Sequence, residues 1–131
     1  MSKFTKRILK NIKKPKNALV FGQGLDRMQE ISDIFQTLFI IEAKEKFFLG
    51  RNVIYRENIE NIETLPDIDY IFIDKDKLDY VFSLHVVIRR WSPFILTEGI
   101  EEWTSEHTKF LRNKRYRAID YTKEFYVWKN S

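Results

Sequence analysis

Two glycines separated by one residue, Gly22-Gln23-Gly24, follow directly on the apolar run Ala18-Leu19-Val20-Phe21. A strand that bends at once into a helix needs residues without a Cβ where the backbone turns or approaches a ligand. The unpaired N–H groups of the following helix then face that ligand. Glu42 lies twenty residues beyond Gly22, at the end of a second apolar run, Thr37-Leu38-Phe39-Ile40-Ile41. An acid at that place can accept hydrogen bonds from the two hydroxyls of a ribose. The glycine pair and the acid together point to an adenosine-type ligand, with Gly22, Gln23, Gly24, Leu25 and Glu42 as candidate contacts.

Further acids end two later apolar runs. Asp74 closes Tyr70-Ile71-Phe72-Ile73, and Thr97-Glu98 closes Pro93-Phe94-Ile95-Leu96. Asp76 lies two residues beyond Asp74. Asp74 can cap the helix that follows, a position Asp favours, and this is the expectation carried forward, with no metal. His85 and His107 fall on separate predicted helices. Neither belongs to a nucleophile–base set or to a metal-ligand spacing, so packing or surface roles are expected for both.

These residues need elements to hold them. Ala18–Phe21, Thr37–Ile41, Asn52–Tyr55, Tyr70–Ile73 and Pro93–Leu96 read as strands. Continuous apolar runs of this kind suit strands buried on both faces. Asp26 to Phe35 carries the helical pattern Met28, Ile31, Ile34 and Phe35. Residues 76–91 and 100–113 read as two more helices, and Lys44 to Leu49 as a helical turn or two ending at Gly50. Residues 57–67 are polar with spaced isoleucines. Strands alternating with helices imply parallel pairing through crossovers. Tyr116–Tyr121 and Phe125–Trp128 are joined too closely for a crossover. They are expected to pair antiparallel at one edge. The expected architecture is a three-layer, Rossmann-like α/β fold. It has a mostly parallel sheet of about seven strands and a C-terminal antiparallel hairpin. In such a sheet ligands bind beyond the carboxyl ends of the strands, where the strand order reverses.

The chain has 131 residues, enough for one domain with a sizeable core. Gly and Pro are scarce, at 4 and 3, which argues against a disordered chain. With no cysteine, disulfides and thiolate metal sites are excluded. No apolar run is long enough to span a bilayer and no secretion signal is visible, so a cytoplasmic protein is expected. The net charge of +4 is unevenly placed. Residues 1–16 hold seven basic side chains and no acid, and without them the rest carries 16 basic against 19 acidic residues. Such a segment could bind nucleic acid through its lysines at residues 3–16. Phe4, Ile8 and Ile12, however, form one helical stripe. A cationic amphipathic helix that packs this stripe on the domain is the plainer expectation. Arg112, Lys114, Arg115 and Arg117, mixed with aromatic residues, are expected to be a solvated basic loop.

The order of elements resembles the class I S-adenosylmethionine-dependent methyltransferases. Val20-Phe21-Gly22-Gln23-Gly24 is similar to their glycine-rich first motif, and Glu42 to their ribose-binding acid. Asn58-Ile59 falls where that family contacts adenine, and Asp69 to Lys77 resembles its fourth-strand motif. The resemblance covers about residues 17–129. It implies S-adenosylmethionine as cofactor, held by Gly22, Gln23, Gly24, Leu25, Glu42, Asn58 and Ile59. It implies Asp74 beside the acceptor, a small molecule or sugar-linked precursor. The chain departs from the family pattern at Val20, where an acid is usual, and near Asp26, where a third glycine is usual. These departures leave an alternative, a non-catalytic module whose cleft is filled by side chains such as Leu25 and Met28.

Overall fold

The computed structural model describes residues 2–22, 24–43, 45–57, 65–83, 93–99, 101 and 103–130. Seven strands form one sheet in the order β3-β2-β1-β4-β5-β7-β6. In chain order they are β1 (Asn17–Phe21), β2 (Thr37–Ile41), β3 (Val53–Arg56), β4 (Tyr70–Ile73), β5 (Phe94–Glu98), β6 (Tyr116–Tyr121) and β7 (Phe125–Asn130). The first five are parallel to one another. β7 runs antiparallel between β5 and β6, so the closing hairpin forms the edge that its short connection requires. At its turn the Thr122 hydroxyl accepts hydrogen bonds from the N–H groups of Glu124 and Phe125, at 3.1 and 3.2 Å.

Each central strand buries both faces, which explains its continuous apolar sequence. Leu19, Phe21, Phe39, Ile41, Ile71, Ile73 and Ile95 point to one side, where α3 (Leu78–Ser83) and α4 (Ser105–Asn113) supply Leu78, Val81, Phe82 and Leu111. Ala18, Val20, Leu38, Ile40, Tyr70, Phe72 and Leu96 point to the other. That side is covered by α1 (Lys3–Asn11) and α2 (Leu25–Ile34), through Phe4, Ile8, Met28 and Ile31. The result is the expected three-layer α/β fold.

Helix α1 packs as its stripe requires. Phe4 and Ile8 are buried and Ile12 packs beside them. Ser2 caps its start by accepting from the Thr5 N–H at 3.1 Å. Arg7 ties it to β6 through Asp120, with Nη1 2.6 Å from Oδ1. Lys3, Lys6, Lys10, Lys13, Lys14 and Lys16 remain exposed.

Three expectations need correction. Residues 45–50 form no helix. They run as irregular chain that Tyr55 pins, its hydroxyl donating to the Phe47 carbonyl at 2.7 Å and accepting from the Phe47 N–H at 2.9 Å. The helix expected from residue 100 begins only at Ser105. The cause is a reciprocal cap in which the Thr104 side chain and the His107 ring each accept a backbone N–H of the other residue. The helix expected over 76–91 starts instead as a 3-10 turn, Lys75–Lys77, that leads into α3. Its second half, with His85, lies outside the described residues, as does most of the polar stretch within 57–67.

Candidate functional site

The sheet order reverses between β1 and β4, because β2 and β3 lie to one side of this pair and β5 to the other. A crevice at the carboxyl edge follows from that topology. Gly22 sits at its floor with φ +70. That is a left-handed conformation that glycine adopts without steric cost. A Cβ at Gly22 would lie 2.9 Å from the Asp74 Cβ and 3.2 Å from the Lys77 Cγ. Gly22 therefore lets the ends of β1 and β4 close on each other, and the Asp74 N–H donates to the Phe21 carbonyl at 3.0 Å.

Gly24 differs. Its φ of −70 and ψ of 160 suit any residue. Here the sequence expectation of a conformational need is corrected. What Gly24 does provide is room, since a Cβ there would meet nothing within 4 Å. It is the N-cap of α2, and among the described residues no side chain caps that helix start. The first-turn N–H groups are thus open to a ligand. Leu25 is half-exposed beside them, while Met28 is buried in the core under α2. Met28 therefore fills the core and not the crevice. Val20, where the family pattern has an acid, is likewise fully buried in that core.

Glu42 directly follows β2 with φ +51, a strained conformation for a residue with a side chain. Its N–H donates to the Arg56 carbonyl at 2.9 Å. Its carboxylate accepts from the Tyr80 hydroxyl of α3. Burial, and then this bond and the charge of Glu42, push the Tyr80 hydroxyl up to about 12. Tyr80 thus fixes the direction of the Glu42 carboxylate. This contact was not legible in the sequence, where Tyr80 is one of several aromatic residues on an apolar helix.

Asp74 has the backbone of an N-cap, φ −72 and ψ 156, but its side chain makes no capping hydrogen bond. The expectation of a side-chain cap is therefore corrected. Its carboxyl group is hydrogen-bonded to that of Glu98. The parallel register explains why: Ile73 lies opposite Thr97, so the next residue of each strand meets its neighbour. Glu98 is also 3.3 Å from the Arg27 Nε, and Arg27 reaches Glu124 at 3.4 Å. Burial raises the Glu98 carboxyl, Arg27 opposes that rise, and Asp74 and Glu124 add to it, leaving it at about 7. A carboxyl–carboxyl hydrogen bond needs one proton, and the raised Glu98 carboxyl keeps it up to near neutral pH. The sequence singled out Asp74 and Glu98 but carried no sign of Arg27 as their partner.

Asp76 is exposed on the 3-10 turn, and among the described residues no three His, Asp or Glu side chains gather as metal ligands. His107 is structural. Its Nδ1 accepts from the Thr104 N–H at 3.1 Å, so Nε2 carries the proton that is donated to Asp79 at 2.8 Å. Gln23, Asn58 and Ile59 lie outside the described residues.

No family model and no curated protein matches this sequence. Solved structures do match the fold. The precorrin-6y C5,15-methyltransferase of Geobacter metallireducens is 18% identical with a TM-score of 0.65, covering 97% of this chain and 87% of its own. The precorrin 8w decarboxylase of Methanobacterium thermoautotrophicum is 17% identical with a TM-score of 0.64, covering 98% and 89%. A Streptococcus mutans protein described as a methyltransferase, solved in complex with SAH, is 8% identical with a TM-score of 0.57, covering 98% and 95%. The chain has the class I methyltransferase fold. The identities are low and establish the fold alone. In this methyltransferase fold the crevice at Gly22, the start of α2, Glu42 and the Asp74–Glu98 pair share the edge at which the topology predicts ligand binding.

Proposed function

We propose that the chain binds S-adenosylmethionine at the β1–β4 crevice and transfers its methyl group to a small molecule. The observation that carries this reading is the combination at the carboxyl edge. Gly22 is left-handed, the start of α2 is open and uncapped, and Glu42 is held strained and oriented at the end of β2. The residues fit the cofactor. Glu42 offers a carboxylate to two ribose hydroxyls, and the α2 N–H groups and the space at Gly24 suit its methionine end. Gln23, Leu25, Asn58 and Ile59 complete the proposed set. The complex of the Streptococcus mutans neighbour with SAH supports the same ligand class.

The cofactor supplies an activated methyl group on a sulfonium. The chain has to align an acceptor with it, exclude water and take up the acceptor's proton. Asp74 and Glu98 suit the last task, because Glu98 changes protonation near neutral pH and is hydrogen-bonded to Asp74. With the cofactor bound, the Glu98 carboxylate, hydrogen-bonded to Asp74, would take up the proton that the acceptor loses. A cytoplasmic setting accords with this reading. Among the described residues no helix is long and apolar enough to cross a membrane. Titration calorimetry with S-adenosylmethionine and its demethylated product tests the binding. Absence of heat from both at millimolar ligand would refute it.

A further inference from the structure

A second concavity opens at the same edge, between the start of α1, the start of α2 and the β6–β7 turn. Its volume is about 410 Å³, within the range of small-molecule sites, roughly 300–1,000 Å³. Two rings form its apolar part. Phe4 and Phe125 meet edge to face with centroids 6.0 Å apart. Four cations line it, Lys3, Arg7, Arg27 and Lys123, against one acid, Glu124. Arg7 is engaged by Asp120. Arg27 sits over Phe4, its guanidinium carbon 3.9 Å from the ring centre. Lys3 and Lys123 make no ion pair among the described residues.

The cavity adjoins the proposed chemistry. Phe125 pairs in register with Glu98, and Arg27 touches Glu98 from the cavity side. The bond from Arg27 to Glu124 is long, 3.4 Å, and its acid is 75% exposed. Such a pair is weak and exchanges readily for a ligand oxygen. Glu98, pushed up to about 7, offsets Arg27 only in part near neutral pH. The site is therefore cationic around an aromatic floor.

We propose that this cavity selects the methyl acceptor. The acceptor is a small molecule with an apolar or aromatic body and one oxyanion group, carboxylate or phosphate, read by Arg27, Lys3 and Lys123. The assignment of this ligand as the acceptor rests on the methyl-transfer reading; the anion site itself does not.

The test titrates the full chain with phenyl phosphate, benzoate and neutral benzyl alcohol, followed by nuclear magnetic resonance, with S-adenosylhomocysteine titrated separately. Both anions should bind at least about five-fold more tightly than the alcohol, as expected for charge-assisted hydrogen bonds. The double variant Lys3→Gln/Lys123→Gln, altered only at exposed positions, should weaken the anions by roughly five-fold while barely moving the alcohol. Equal binding of the alcohol, full anion affinity in the double variant, or no anion binding at 10 mM or so would overturn the proposal. If S-adenosylhomocysteine fails to bind while the anions bind through the lysines, the methyl-transfer reading falls and the anion site stands. The opposite result removes the anion site and leaves that reading intact.

Discussion

The two edges of the parallel sheet use polar side chains for opposite ends. At the amino edge, side chains complete the backbone. The Asp69 carboxylate accepts the N–H groups of Lys16 and Asn17, at 3.0 and 3.2 Å. Asn52 donates to the carbonyls of Ser32 and Phe35, at 2.8 and 3.0 Å, and Asn130 to that of Lys114 at 2.9 Å. Strand and helix ends leave such groups open, and pairing them stabilises the fold. The positive φ of Arg115 has the same standing, since it closes the end of α4. At the carboxyl edge, Glu42 holds a strained backbone, two carboxyl groups share a hydrogen bond, and α2 starts uncapped. Strain at Glu42 and the bare start of α2 do not stabilise the chain, and the carboxyl pair does so only while Glu98 keeps its proton. Strain and half-buried acids concentrated at the edge where ligands bind in this fold support the proposed site there.

Substitutions can break or sharpen this contrast. Gly22→Val has the largest effect, because the left-handed φ and the approach of Asp74 both oppose a side chain. A loss of about 3 kcal/mol is expected in urea unfolding, together with loss of cofactor binding. Next is the pH dependence of Glu98. The folded chain keeps a proton that the unfolded chain releases, so this group's contribution is full below pH 4.5 and declines until about pH 7. The loss across that window is about 2 kcal/mol once its partial exposure to solvent is allowed for. Glu98→Gln should flatten this part of the stability profile measured by thermal unfolding.

At the amino edge, Asn52→Ala should cost about 1–2 kcal/mol in urea unfolding, since two carbonyls lose a donor, and leave ligand affinity unchanged. Glu42→Gly has the smallest effect on stability and reverses its sign. Relief of the φ +51 strain should stabilise the chain by about 0.5–1 kcal/mol, while cofactor binding weakens at least about ten-fold. If Asn52→Ala and Glu42→Gly instead changed stability and binding in parallel, the distinction between the edges would be lost.

The parts legible in the sequence are those governed by local pattern. Strands β1, β2, β4 and β5 announce themselves as apolar runs because both of their faces are buried. The Phe4, Ile8 and Ile12 stripe of α1 does so because one helix face packs on the sheet. The spacing from Gly22 to Glu42 reflects one strand–helix–strand unit. What was hidden depends on contacts distant in sequence or on single capping atoms. Tyr55 holding Phe47 in irregular chain, and His107 delaying the start of α4, are choices that propensity does not encode. Arg27 meets Glu98 only because α2 and β5 converge in space. Gly24 shows the limit of motif reading, since its neighbourhood and not its conformation sets it apart.

Titration of the wild-type chain, Glu42→Gly and Asn52→Ala with S-adenosylhomocysteine by calorimetry tests the central claim most directly. Micromolar binding by the wild type and Asn52→Ala, with at least about ten-fold weaker binding by Glu42→Gly, is the predicted result. No binding by the wild type, or equal affinity in all three, would contradict the assignment of the carboxyl edge as a nucleoside site.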